Sequence, residues 1–230
     1  MLFHLAQPAA LLGIFAALVI GIVIHDAAQV LAARLIHDKI PTKSGRLTTT
    51  HVPDRLSPFS IVAMVIVGNG WAEPVAMNDV WRRRRFHVAA AILAGPAAYL
   101  GLTVGALALF KVAAQTVVIT YNDRTVKLSG ASSFPSELLL WMAITFGSMC
   151  ILSLVPIPPL DGGRVLFMFT PRSPGWEKAR YHLTETQAGV GIVLALLLLP
   201  VLFPGFPSVT GQLVTPLVRS LGNLIGLSLF

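Results

Sequence analysis

Pro156-Ile157-Pro158-Pro159-Leu160-Asp161-Gly162-Gly163-Arg164 is the stretch that decides how the rest of this chain is read. It closes a run, Leu138 to Leu160, that carries no charge for 23 residues. A helix needs roughly 20 apolar residues to cross a bilayer, so the run is long enough to span. The prolines prevent a continuous helix, which frees backbone carbonyls and sets Asp161 at the broken end of a membrane segment. An ionisable group in such a place is expensive and by default marks function.

Working outward, three further regions reach spanning length. Leu5 to Ile24 is uncharged, and its pattern continues through His25 and Asp26 to about Leu35. Val88 to Phe110 is uncharged for 23 residues. Thr186 to Val218 is also uncharged, but Pro200, Pro204 and Pro207 divide it into a span ending near Phe203 and a last apolar segment from about Val209 to Phe230. Phe59 to Val67, bounded by Pro58 and Gly68-Asn69-Gly70, is too short to cross and reads as re-entrant or interfacial. The first run lacks a basic start and a clear small-residue cleavage site, so it does not read as a removable signal peptide.

Composition agrees with lipid as the main solvent. Apolar residues make up 55% of the 230, charged residues 12%, and the mean hydropathy is +0.75. A soluble domain carries about twice that charge. The net charge of +7 reads as cytoplasm-facing loops rather than a nucleic-acid face, so no nucleic-acid partner is expected. The single cysteine, Cys150, excludes an internal disulfide and a cysteine-based zinc site. Residues 37–87 and 164–186 hold twelve Lys and Arg against three in residues 111–135, which places the first two loops in the cytoplasm and the N-terminus outside. The run Arg82-Arg83-Arg84-Arg85 fixes that topology and contacts anionic headgroups. Trp71, Trp81, Trp141 and Trp176 read as interfacial anchors. An extracytoplasmic hairpin is expected near 116–128, turning at Asn122-Asp123.

The first span carries the polar cluster His25-Asp26-Ala27-Ala28-Gln29. Residues four apart share a helix face, so His25 and Gln29 can point at one object. This is the frame of the HExxH zinc motif, and also what a buried polar cluster packed against neighbouring helices gives. Asp161 ends the third span on the same side, so a carboxylate and an imidazole can meet inside the membrane, as a metal site requires.

On these stretches the chain resembles the site-2 protease family of intramembrane zinc metalloproteases, in a compact bacterial form without a PDZ domain. The resemblance is carried by His25 to Gln29, Gly45-Arg46-Leu47-Thr48, Gly70-Trp71-Ala72-Glu73-Pro74-Val75, Ala94-Gly95-Pro96 and Pro156 to Arg164. It implies an all-α polytopic membrane fold of about four to six spanning helices, forming one membrane domain over residues 1–230. Its core covers about residues 10–170, with C-terminal membrane segments at 187–230. It also implies a bacterial plasma membrane, and a zinc held by two His and one Asp with a Glu as base.

The departures fall on those polar positions. His25 matches the first ligand and Asp161 the third, but Gln29, a neutral amide that suits zinc less than imidazole, stands at the second. Asp26 stands at the base position, one C–C bond (about 1.5 Å) shorter than Glu. Ser153 and Tyr99 stand where the family usually has Asn, and Arg55-Leu56-Ser57-Pro58 where it has HIDP. Gly162 completes the supporting set, in the segment Pro156 to Arg164 that reproduces the family's PIPPLDGGR.

Two functional readings follow. In one, the fold is retained with a disabled centre, zinc is weak or absent, and the protein serves as a binding, structural or regulatory subunit for another membrane protein. In the other it is an active, divergent zinc metalloprotease that cleaves a transmembrane substrate helix, with Asp26 as base. A proton or ion pathway would use His25, Asp26 and Asp161, but the chain lacks the paired inverted repeat of transporters.

Overall fold

The computed structural model describes residues 6–43, 56–77, 85–113, 118–122, 125–129, 133–171, 173–203, 205 and 209–227. The Gly45-Arg46-Leu47-Thr48 match, Arg55, Trp81 and the arginines Arg82, Arg83 and Arg84 lie outside the described residues. In chain order the elements are α1 (Pro8–Leu35), α2 (Ile40–Lys43), α3 (Pro58–Val67), α4 (Arg85–Ala113), β1 (Val118–Asn122), β2 (Thr125–Ser129), α5 (Phe134–Leu154), α6 (Asp161–Phe169), α7 (Pro174–Thr184), α8 (Ala188–Leu202) and α9 (Val209–Leu224). The strands form an antiparallel ribbon with Asn122 opposite Thr125 and Val118 opposite Ser129.

Among the described residues, α1, α4 and α5 are each long and apolar enough to cross a membrane. The pair α7 and α8, bent by 65° at their junction, passes as a fourth span if taken together. Three or four candidate spans meet the expected four to six at its lower end. The difference lies at the C-terminal end, where α8 has 15 residues and α9 has 16, both short of the roughly 20 that a crossing needs. The third run is also shorter than expected: α5 stops at Leu154 rather than Leu160, because Pro156 follows its cap residue Val155.

The stretch near Phe59 forms α3, a helix of 10 residues. The Ser57 hydroxyl caps its start by accepting from the Ser60 N–H at 3.1 Å. Gly68, with φ of 82°, ends it in the left-handed conformation open to glycine.

The three long helices pack on one another. Within lipid no hydrophobic force draws helices together, so close approach at small residues carries much of the association. Gly13 of α1 meets α5 so closely that an added Cβ would lie 2.7 Å from the Leu138 carbonyl oxygen and 3.0 Å from Trp141 Cβ. Around this contact Ile14, Leu18, Ile22, Leu107, Phe110, Phe146 and Met149 form the main core, which Val214 and Val218 of α9 join. Two tryptophans expected at the membrane boundary are interior. Trp141 belongs to this core, and Trp71 packs with Leu152, Leu160 and Val193. Their rings fill the junctions between helices; Trp176 is exposed.

Overpacking a tight helix contact costs about 1–3 kcal/mol. Gly13→Leu is accordingly expected to lower the unfolding free energy in detergent by about that amount. Gly101→Ala, at a helical site with nothing within 4 Å, should not lower it and is expected to raise it by about 0.5–1 kcal/mol.

Candidate functional site

The polar residues of the first span form one buried cluster with Asp161. His25, Asp26 and Gln29 lie on the inward face of α1, and none of the four is more than 6% exposed. Asp161 arrives from the other direction. The turns of residues 155–160 end at Leu160, the cap residue of α6, so Asp161 is the first helical residue. Helix dipoles favour an anion there by about 0.3–1 kcal/mol, which offsets part of the burial of its carboxylate.

His25 Nε2 lies 2.8 Å from Asp161 Oδ2, and its Nδ1 lies 3.3 Å from Asp26 Oδ1. The ring therefore sits between two carboxylates, and Asp26 faces the nitrogen opposite to the one that meets Asp161. Ionised carboxylates only accept hydrogen bonds. Both nitrogens can be paired at once only when the imidazole carries two protons or one carboxyl keeps its own. Arg164 Nη1 is 4.0 Å from Asp161 Oδ1, so two carboxylates are balanced by one guanidinium and one additional proton.

Gln29 ties this set to α4. Its Nε2 donates to Asp161 Oδ1 and to the carbonyl oxygen of Ile92, each at 2.9 Å. That carbonyl is available because the residue four positions on is Pro96, which has no N–H to complete the helical bond. The orientation of the amide follows from chemistry: turned over, Oε1 would face two acceptors. Oε1 makes no hydrogen bond among the described residues. Gly95 permits the approach, since a Cβ there would lie 2.3 Å from His25 Nε2 and 2.7 Å from Gln29 Nε2.

The other expected residues take supporting places. Tyr99, one turn beyond Gly95, stacks on His25 with ring centroids 4.7 Å apart and planes at 24°. The Ser153 hydroxyl donates to the Cys150 carbonyl at 2.8 Å, within its own helix, while its residue lines a small cavity shared with His25, Tyr99 and Asp161. That cavity, about 20 Å³, has room for about one water. Gly162 lets α6 fold back on α5, because a Cβ there would lie 2.2 Å from the Leu154 carbonyl oxygen. Arg85, the described member of the arginine run, is exposed at the start of α4. Sequence reading did not single out the Ile92 carbonyl or Arg164 as members of the site. The signals were present: a proline four residues after Ile92, and an arginine three residues after Asp161, on the same helix face.

A zinc at this centre can be tested against the donor atoms. Catalytic zinc takes three protein ligands with a lone pair each. His25 Nε2 and the Asp161 carboxylate qualify, but Gln29 presents an amide nitrogen whose two protons are both engaged. As arranged, the residues supply two ligands, one fewer than a catalytic zinc takes from its protein. No cluster of three or more His, Cys, Asp or Glu able to hold a metal occurs among the described residues.

Fold and centre together define a class: a polytopic membrane protein with an ionisable cluster built between its spans. The chain is 27% identical over 186 residues to a protein of Bacillus subtilis (strain 168) named "Putative zinc metalloprotease YwhC", a match covering 80% of this chain and 78% of that one. The match supports a site-2-protease-like relationship. No family model matches the chain, and no solved structure matches it.

The link through Gln29 can be measured. Gln29→Leu leaves a buried carboxylate and a carbonyl short of a donor and is expected to cost about 1–3 kcal/mol of stability. Pro96→Ala returns an N–H to the Ile92 carbonyl, so in that background the loss should be smaller by about 0.5–1.5 kcal/mol. Strictly additive effects in the double-mutant cycle would contradict the assignment.

Proposed function

We propose that this chain is a site-2-protease-like membrane protein that does not hydrolyse peptides and serves as a binding or regulatory subunit for another membrane protein. One observation carries the reading. The Gln29 amide donates to Asp161 and to the Ile92 carbonyl, so the position aligned with a metal ligand holds the centre closed by direct hydrogen bonds. The placement of Asp26 supports it too, because its carboxylate engages Nδ1 of His25 and orients the ring.

What remains for such a protein is recognition. Residues 71–77, which belong to no helix or strand, pass the centre with Trp71, Val75 and Met77 buried and Glu73, Pro74 and Ala76 exposed. A segment of a membrane partner is the occupant we assign to the surface that Glu73, Pro74 and Ala76 expose there. His25, Asp26, Gln29 and Asp161 keep α1, α4 and α6 in register beneath it.

The test is metal content of the purified protein by mass spectrometry, with Gln29→His alongside and a membrane peptide offered as substrate. The expected result is far less than one zinc per wild-type chain, a marked gain in Gln29→His, and no cleavage by the wild type. Near-stoichiometric zinc that His25→Ala and Asp161→Ala both abolish, with cleavage lost in Asp26→Asn, would establish the divergent protease instead.

A further inference from the structure

Beside the centre, and separated from it by Pro74 and Pro159, lies a much larger crevice of about 1230 Å³. Its walls come from residues 74–77, the start of α4, and helices α6 and α7. Three arginines line it, Arg85, Arg164 and Arg180, with Glu177 and Glu185; of the three, Arg164 is already engaged by the Val75 carbonyl at 2.9 Å and by Asp161, so Arg85 and Arg180 are the two that face a ligand. We infer that this crevice binds the phosphate group of an anionic phospholipid.

Arg180 and Arg85 are held in place by contacts that leave donors for a ligand. Arg180 lies over the Phe167 ring at 5.5 Å and donates one N–H to the Phe167 carbonyl at 2.6 Å. Arg85 lies over Phe169 at 5.5 Å and over Phe86 at 5.3 Å, and makes no hydrogen bond among the described residues. A guanidinium held over an aromatic face keeps N–H groups available for the paired contacts that phosphate oxygens accept.

Location and size select the source of the phosphate. Arg85 is the first residue of a spanning helix whose uncharged run begins at Val88, so the crevice opens at the level where headgroups lie. Small-molecule pockets measure about 300–1000 Å³, and this volume is greater than a free phosphate could fill. Phe167, Met168 and Phe169 beside the arginines suit the glycerol and upper acyl carbons of a lipid. The inference rests on the membrane reading and is independent of whether the centre hydrolyses peptides.

The experiment is native mass spectrometry of the full chain released from bilayers of equal phosphatidylglycerol and phosphatidylcholine. Phosphatidylglycerol should be retained preferentially, and Arg85→Gln with Arg180→Gln should reduce its retention by roughly fivefold per arginine. Glu177→Gln with Glu185→Gln should raise it, a gain that a misfolded variant could not give. Equal retention of the two lipids, or retention unchanged in the double arginine variant, would overturn the proposal. So would displacement of phosphatidylglycerol by millimolar inorganic phosphate, which would assign the crevice to a free anion.

Discussion

The hydrogen bonds donated by Gln29 are the constraint on which the arrangement of the centre depends. Pro96 leaves the Ile92 carbonyl without its helical partner, and Ile92 is fully buried, so the missing bond is supplied from within the protein. Gln29 fills that position with one N–H and reaches Asp161 with the other. A single side chain thereby joins α1 to α4 and to the start of α6. The absence of a side chain at Gly95 is what lets the two helices come close enough for the bond to form. The position therefore has a structural use that does not require an imidazole.

The charges follow the same economy. Two buried carboxylates would be prohibitive alone, since the desolvation of an unpaired ion amounts to several kcal/mol. Here the imidazole lies between them, the Arg164 guanidinium approaches from one side, and the first turn of α6 offers its peptide dipoles to Asp161. The balance uses groups of the chain itself. Charges paired in this way inside the protein tie α1, α4 and α6 to one another.

Much of this was legible in the sequence, for definite reasons. Uncharged runs of spanning length announce α1, α4 and α5, because lipid leaves no other place for them. The pairing of His25 with Asp161 followed from the i, i+4 frame on one span and the proline-broken end of another. What the sequence could not show was which way each group turns. Nothing in the order of residues says that Asp26 meets Nδ1 rather than the face shared with Asp161, or that Gln29 offers its nitrogen and not its oxygen. Those choices depend on a carbonyl exposed by Pro96 on a different helix. The tryptophans failed for a related reason: an amphipathic ring suits a membrane boundary and an interhelical junction equally, and for Trp71 and Trp141 only packing decides between them. At the C-terminal end the prolines placed the end of α8 near Phe203 and the start of α9 at Val209, but residue order left open whether the last segment crosses.

The central claim, that direct hydrogen bonds and not a metal close the centre, is tested most directly by the nitrogen resonances of the His25 ring. They would be recorded by solid-state NMR on the protein in bilayers, before and after addition of zinc. The account predicts that Nε2 carries a proton shared with a carboxylate oxygen of Asp161, and that zinc leaves its resonance where it was. Loss of that proton and a shift of Nε2 to the position of a metal-bound nitrogen would contradict it.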